Sequence, residues 1–506
     1  MAVMSIAQAI TERARRCPDD VVVTAGLTEV TAAQLDSRSN RLARAMVDAG
    51  VCHDDTVAVA MGNGIPFVVT CAAIWKAGAT PLLLDPDLPT GERAELERLG
   101  SPALAVGMEP VTGITWMDTE SAVTQRFSDA PLSDRPASCW KAPTSSGSTG
   151  RPKIVRASAP AMVDPEQPVA VFLPNDAVQL VTAPLWHSAA FTYAFRGLTA
   201  GHRLVVEPRF DEHRFGALVA EHGITWTLLS PSTIRRLLRL GPDRPDPAEM
   251  AVLETILHIG ARCPAADKRA LIDWLGPERV VEVYAGTESN GLTMITGAEW
   301  LAHPGSVGRP IGGTEISIRD DAGHELGPGR AGLVWMRRGG MATYDYRGAA
   351  SRRTADGWDT LGDVGTVDAD GYLTILDRAG DVIECGSGVV YPADVEQVVE
   401  SHPLVRDAVV TGRCDEGSST APHPEITVVV DVGDADVDPD EILRYAAGRL
   451  EHRARPTSIT IARRPLRNGA GKTRRSAYRP TGRPRPTSRS EVTIHDAVHR
   501  HPAPSE

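Results

Sequence analysis

Over the first 140 residues, apolar positions recur at helical and then at strand spacing. Leu35, Leu42, Ala45 and Met46 share one face of a 3.6-residue period, and Gly50 stands where such a helix would end. An apolar stretch at 56–61 reads as a buried strand. A helical run reaching Trp75 follows, then a turn at Lys76-Ala77-Gly78 and a second strand at 81–84 closed by Asp85-Pro86. Strand, helix, strand in that order predicts βαβ units and a mainly parallel sheet. Strands are expected again at 169–173, 178–183, 203–207, 226–230 and 280–284.

Beyond about residue 310 the pattern changes. Short apolar runs at 316–318, 332–337 and 371–376 alternate with Gly- and Asp-rich turns such as Asp320-Asp321-Ala322-Gly323, which predicts antiparallel structure. A further boundary falls near Asp377-Arg378-Ala379-Gly380-Asp381. After it come a helix signal at 393–401 and strands at 407–411 and 425–430. Residues 479–506 are rich in Pro, Arg, Ser and His. They hold too little apolar surface to offset chain entropy, so a disordered tail is expected.

Composition narrows the function. The 506 residues are 42% hydrophobic and 23% charged, which suits a globular protein with a sizeable core. The net charge of −12 argues against a dedicated nucleic-acid binder, whose affinity comes from neutralising phosphates. The start, MAVMSIAQAI, lacks the basic and apolar regions of a secretory signal, and the run ending at Trp75 is too short for a membrane span. Seven scattered cysteines without a CxxC predict neither a zinc knuckle nor a disulfide framework. A reducing, cytoplasmic location and no membrane partner are the expectation.

The most informative segment is Thr144-Ser145-Ser146-Gly147-Ser148-Thr149-Gly150-Arg151-Pro152-Lys153. Hydroxyls and backbone N–H groups there can donate to phosphate oxygens, and the glycines allow close approach. Lys153 adds charge. The spacing GxxxxGK[ST] is absent, so this is not a Walker A loop.

This loop closely resembles the signature of the acyl-adenylate-forming superfamily, which includes acyl-CoA synthetases, luciferases and peptide-synthetase adenylation domains. Further segments match in family order: Lys76-Ala77-Gly78-Ala79, Pro184-Leu185-Trp186-His187, Tyr284-Ala285-Gly286-Thr287-Glu288, Gly305-Ser306-Val307-Gly308-Arg309-Pro310, Asp356-Gly357-Trp358-Asp359-Thr360-Leu361-Gly362-Asp363, and Gly471-Lys472. The variant at 360–363 and the stretch 258–264 look most like a bacterial acid–CoA ligase branch.

The resemblance implies an α/β fold in two parts. A large N-terminal adenylate-forming domain at 1–377 would hold parallel α/β subdomains plus a distorted β-barrel. A small, mobile α+β C-terminal domain would cover 378–478.

It also implies chemistry. A carboxylate attacks the α-phosphorus of ATP, pyrophosphate leaves, and the acyl-adenylate passes to CoA. Two anions must meet, so cations and dipoles are needed at phosphorus. Thr144, Ser145, Ser146, Gly147, Ser148, Thr149, Gly150 and Lys153 would hold the β- and γ-phosphates. Glu288 would hold Mg²⁺, and Thr287 would donate to the α-phosphate. Tyr284 would stack on adenine beside Ala285 and Gly286. Asp363 and Arg378 would take the ribose. Lys472 would bridge the substrate carboxylate and the α-phosphate. His187, Phe191, Ala261 and Gly286 would line the acid pocket, with His187 also gating CoA. That lining suits an aryl or cinnamyl-type acid.

Departures from the family pattern bear on the second step. Where CoA ligases carry GGxNVYP, this chain has Cys385-Gly386-Ser387-Gly388-Val389-Val390-Tyr391-Pro392. Ser387 and Val389 put CoA in question as acceptor. The alternatives are loading of a separate carrier protein, amide formation, or nitrite-dependent diazotisation of an aryl amine. Gly380 stands at the aligned hinge, where its backbone freedom would ease rotation. Arg262, beside Ala261, either joins the nucleotide site, facing the nucleotide or a polar substituent of the acid, or is a surface arginine. No carboxylate stands near Trp186-His187-Ser188, which disfavours an α-amino acid. Ligase relatives are often dimers, so a homodimer is an open expectation.

Overall fold

The computed structural model describes residues 3–119, 124–145, 151–386, 388–414, 424–463, 465–467, 473 and 475–479. The expected tail from 480 onward, Ser387 and Lys472 lie outside the described residues.

Two large sheets organise the chain. In the nine-stranded sheet, Val21–Ala25, Arg203–Val206, Val178–Val181, Trp226–Leu229, Thr255–His258 and Val280–Ala285 run parallel. Antiparallel strands flank them at both edges, including Leu292–Thr296 beside Val280–Ala285. The seven-stranded sheet has the order Tyr344–Arg347, Lys153–Ala157, Ala142–Ser145, Thr80–Leu84, Thr56–Ala60, Leu104–Gly107, Trp116–Met117. It is parallel from Ala142–Ser145 onward and antiparallel at the edge that carries Lys153.

Helices fill the space around these sheets. Ala32–Asp48 begins with a reciprocal cap between Thr31 and Gln34. Ile65–Lys76 is buried on every side, because its sequence is apolar around the whole helix. Phe67, Trp75, Phe191 and Phe195 meet in one aromatic cluster with edge-to-face contacts.

The antiparallel region expected after residue 310 is a four-stranded sheet, Thr314–Arg319, Gly332–Arg338, Asp363–Val367, Leu373–Arg378. Beyond it, a three-stranded sheet of Asp407–Cys414, Pro424–Asp431 and Ser458–Ala462 packs on Pro392–Glu400 and Pro439–Ala447 around its own apolar cluster.

Two expectations need correction. Residues 169–173 form a turn with a single bridge between Ala170 and Leu173. Pro168 and Pro174 bound the run, and Val171 is 80% exposed, so its apolar residues have no sheet to join. Second, Cys385 and Cys414 form a disulfide. The hairpin Ile383–Cys385/Gly388–Val390 lies against Asp407–Cys414 and brings the two Cα atoms to 5.5 Å, across 29 residues of sequence. Such a pairing has no short-spacing signature.

Candidate active site

Both halves of the site leave the C-terminal ends of parallel strands, where open α/β sheets place their ligands. Ala142–Ser145 leads into the hydroxyl-rich loop and Lys153–Ala157 returns from it, with Ser145 paired to Lys153 and Thr144 to Ile154. Thr144 is tied down, its hydroxyl donating to the Leu83 carbonyl at 3.0 Å. Ser146, Gly147, Ser148, Thr149 and Gly150 lie outside the described residues.

From the other sheet, Val280–Ala285 delivers the turn Gly286-Thr287-Glu288-Ser289. Ser289 takes φ 53°, the left-handed region that a serine seldom adopts, directly after Glu288. Gly286 is required by space. A Cβ there would stand 2.6 Å from Leu361 and 2.9 Å from the Glu288 carboxylate. Thr287 is half-buried between them.

These segments converge on Glu288. Its Oε1 accepts from the Lys153 ammonium at 3.2 Å and from the Tyr346 hydroxyl. Lys153 also lies 3.9 Å from the Tyr346 ring centre. Burial pushes the Glu288 carboxyl up, but Lys153 and Tyr346 outweigh it and hold the group below the usual carboxylate range. A buried, ionised carboxylate with hydroxyl and ammonium neighbours is a hard oxygen donor of the kind Mg²⁺ takes.

A second cluster stands beside it. Asp363 opens one strand and Arg378 closes the next, and the hairpin register places them opposite each other. Arg378 Nε is 2.8 Å from Asp363 Oδ1, and the Tyr284 hydroxyl donates to Oδ2 at 2.6 Å. Burial, then the Asp363 charge, push the Tyr284 phenol well up, so it stays a donor. Tyr284 was expected only as a stacking surface. Its hydroxyl also orients the carboxylate expected to take the ribose.

Other expected residues fall elsewhere. His187 caps the helix Ser188–Thr199 by its backbone and is half-buried. Phe191, expected in the acid pocket, is instead wholly buried among Phe67, Trp75, Trp140 and Phe195. It lies one helical turn beyond His187, on the face turned to the core. Ala261 is half-buried in the loop after Thr255–His258. Arg262, expected in the nucleotide site or at the surface, is exposed and bonded to Asp394 at 3.0 Å and Gln397 at 3.1 Å on the helix Pro392–Glu400. Sequence reasoning missed Tyr346. It sits on Tyr344–Arg347, a four-residue edge strand bounded by Gly339-Gly340 and Gly348, and nothing in so short a run shows that it pairs with Lys153–Ala157 and faces Glu288.

Two largely parallel sheets whose strand ends meet at a buried, charge-rich cluster define an α/β protein with the makings of an anion-handling active site. A family model described as AMP-binding enzyme matches residues 10–344, and the chain belongs to that family. It is an enzyme of the AMP-forming ligase class. The 2-succinylbenzoate–CoA ligase of Bacillus licheniformis is 26% identical over 506 aligned positions, covering 91% of this chain and 97% of that one. A feruloyl-CoA synthase from Amycolatopsis is 29% identical, covering 91% and 95%. The o-succinylbenzoate CoA synthetase of Bacillus subtilis, solved with its acyl-adenylate intermediate, superposes with a TM-score of 0.81 at 22% identity, covering 95% of this chain and 99% of that one. Among the described residues, no helix is long and apolar enough to cross a membrane.

Proposed function

We propose that this enzyme uses ATP and Mg²⁺ to activate a carboxylic acid of aryl or cinnamyl type as its acyl-adenylate, releases pyrophosphate, and passes the acyl group to CoA. The observation that carries this reading is the meeting of Lys153, Glu288 and Tyr346 at the stems of the hydroxyl-rich loop, with Asp363, Arg378 and Tyr284 alongside. Glu288 would hold the magnesium, which supplies positive charge against the phosphates. The loop 144–153 would cradle the β- and γ-phosphates, Thr287 the α-phosphate, and Asp363 with Arg378 the ribose. Lys472, from a mobile C-terminal lobe beginning near Arg378, would stabilise the charge that grows between carboxylate and phosphorus. The names of the relatives, CoA ligases for aryl acids, support the acid class and the thiol acceptor.

A second reading keeps the adenylation and changes the acceptor. It is favoured by Val389, which stands on the strand Gly388–Val390 where CoA ligases carry asparagine. Carrier loading, amide formation or nitrite chemistry would then follow.

Hydroxylamine trapping and pyrophosphate release across aromatic and aliphatic acids, with and without CoA, test both. Acyl-hydroxamate with an aryl acid, and acyl-CoA when CoA is added, is the expected result. Hydroxamate without any CoA thioester would leave the second reading. ATP turnover without hydroxamate from any acid would overturn the first step.

A further inference from the structure

Among the described residues three lysines are buried: Lys76 at 6% exposure, Lys141 at 4% and Lys268 at 1%. An ammonium removed from water needs a counter-charge. Lys76 has Asp36 at 2.5 Å, and Lys268 has Glu282. Lys141 has none. Its Nζ donates to the hydroxyls of Ser188 at 2.8 Å and Thr192 at 2.6 Å, and its third proton has no acceptor among the described residues.

The surroundings make the missing anion more conspicuous. Ser188, Thr192 and Arg196 follow at four-residue intervals and line one face of the helix Ser188–Thr199. The Arg196 guanidinium lies 4.4 Å from the Trp140 ring, and the Lys141 ammonium lies 5.0 Å from the same ring. Arg196 donates to the Met162 carbonyl and, among the described residues, has no carboxylate within ion-pair distance either. Lys141 therefore sits at the first turn of a helix, where the dipole already disfavours a cation, with a second cation nearby. Burial and then Arg196 pull its pKa down to about 7. An anion placed there would meet an ammonium, two hydroxyls and a helix N-terminus.

The position is also telling. Ser188 follows His187, and Lys141 immediately precedes the strand that runs into the hydroxyl-rich loop. We propose that Lys141, with the hydroxyls of Ser188 and Thr192, receives a second anionic group of the substrate, a carboxylate distal to the one activated, and so selects dicarboxylic over monocarboxylic aryl acids. This rests on the acid-activating reading above.

Pyrophosphate release separates the two. Phthalate, isophthalate, terephthalate and 4-carboxycinnamate are compared with benzoate and cinnamate in wild type, Lys141→Met, Lys141→Arg and Thr192→Val. At least one diacid should exceed its monoacid counterpart at least tenfold in kcat/KM. Lys141→Met should collapse that ratio at least tenfold, mainly through KM. Lys141→Arg should retain part of it and Thr192→Val should fall between. If Lys141→Met fails to fold by thermal melting, the other two variants carry the comparison. Equal ratios in wild type and variants, or a wild-type preference for monoacids, would overturn the role of Lys141 while leaving acid activation standing. Release with no acid at all would overturn both.

Discussion

Replacing Lys141 by methionine should change how stability depends on pH. The thioether chain fills the space of the lysine stem and removes the titrating group. In the folded chain Lys141 is lowered from 10.5 to about 7, first by burial and then by Arg196. At about 1.4 kcal/mol per pH unit, that separation corresponds to a burial cost of roughly 5 kcal/mol when the group is protonated in both states. Below pH 7 the full cost applies. Between pH 7 and 10.5 the unfolded chain binds the proton more tightly than the folded one, so wild-type stability rises with pH. Above 10.5 the cost is gone. Lys141→Met should therefore be the more stable protein at pH 7, and its advantage should shrink by about 2 kcal/mol by pH 9. Paired urea titrations at both pH values measure it, since the difference between the two proteins cancels every other titrating group. An advantage that stays constant or grows with pH would refute the argument.

Glu288→Gln keeps the shape of the side chain and removes its charge; pyrophosphate release should fall about a hundredfold with the melting temperature largely retained, and a near-wild-type rate would reject the metal-holding role. Asp36→Asn leaves the Lys76 ammonium, bonded at 2.5 Å in wild type, without its carboxylate, and should lower stability by about 3–5 kcal/mol in urea titration. A shift below 1 kcal/mol would show that Asn40 and the backbone carbonyl of residue 36 suffice for Lys76. Thiol titration of the unfolded, unreduced protein should count five groups, rising to seven after reduction, because Cys385 and Cys414 are joined. Seven without reductant would contradict the disulfide.

The parallel sheets were legible because strand and helix periods alternate cleanly in 32–84, and each expected element there has its counterpart within a few residues. The hydroxyl-rich loop was legible because its composition is chemically unusual. Contacts made across long separations were not. Tyr346 reaches Glu288 across 58 residues, Cys385 meets Cys414 across 29, and Arg262 meets Asp394 across 132. Lys141 was hidden for another reason. A lysine between Trp140 and Ala142 looks like an ordinary charged position, and no alternation marks it, because 139–143 are buried without a break. Phe191 failed differently, since helical phase turned it to the core rather than to the acid.

The Lys153–Glu288 pair links the site's electrostatics to the order in which ligands can bind. At 3.2 Å, with side-chain exposures of 17% and 10%, each is the other's counter-ion in the absence of nucleotide. Phosphates arriving alone would attract Lys153 but face the Glu288 carboxylate, a like charge in a poorly screened cleft. Phosphates arriving with a divalent cation satisfy both residues at once. Metal-free ATP should therefore bind weakly to the wild-type enzyme. Glu288→Gln should bind it about tenfold more tightly, a difference of about 1.4 kcal/mol, while losing most of the gain that Mg²⁺ gives the wild type. Calorimetric titration with ATP in EDTA and again in excess Mg²⁺ measures both. If Glu288→Gln weakened metal-free binding, the carboxylate would be acting through Lys153 orientation alone, and the charge argument would fall.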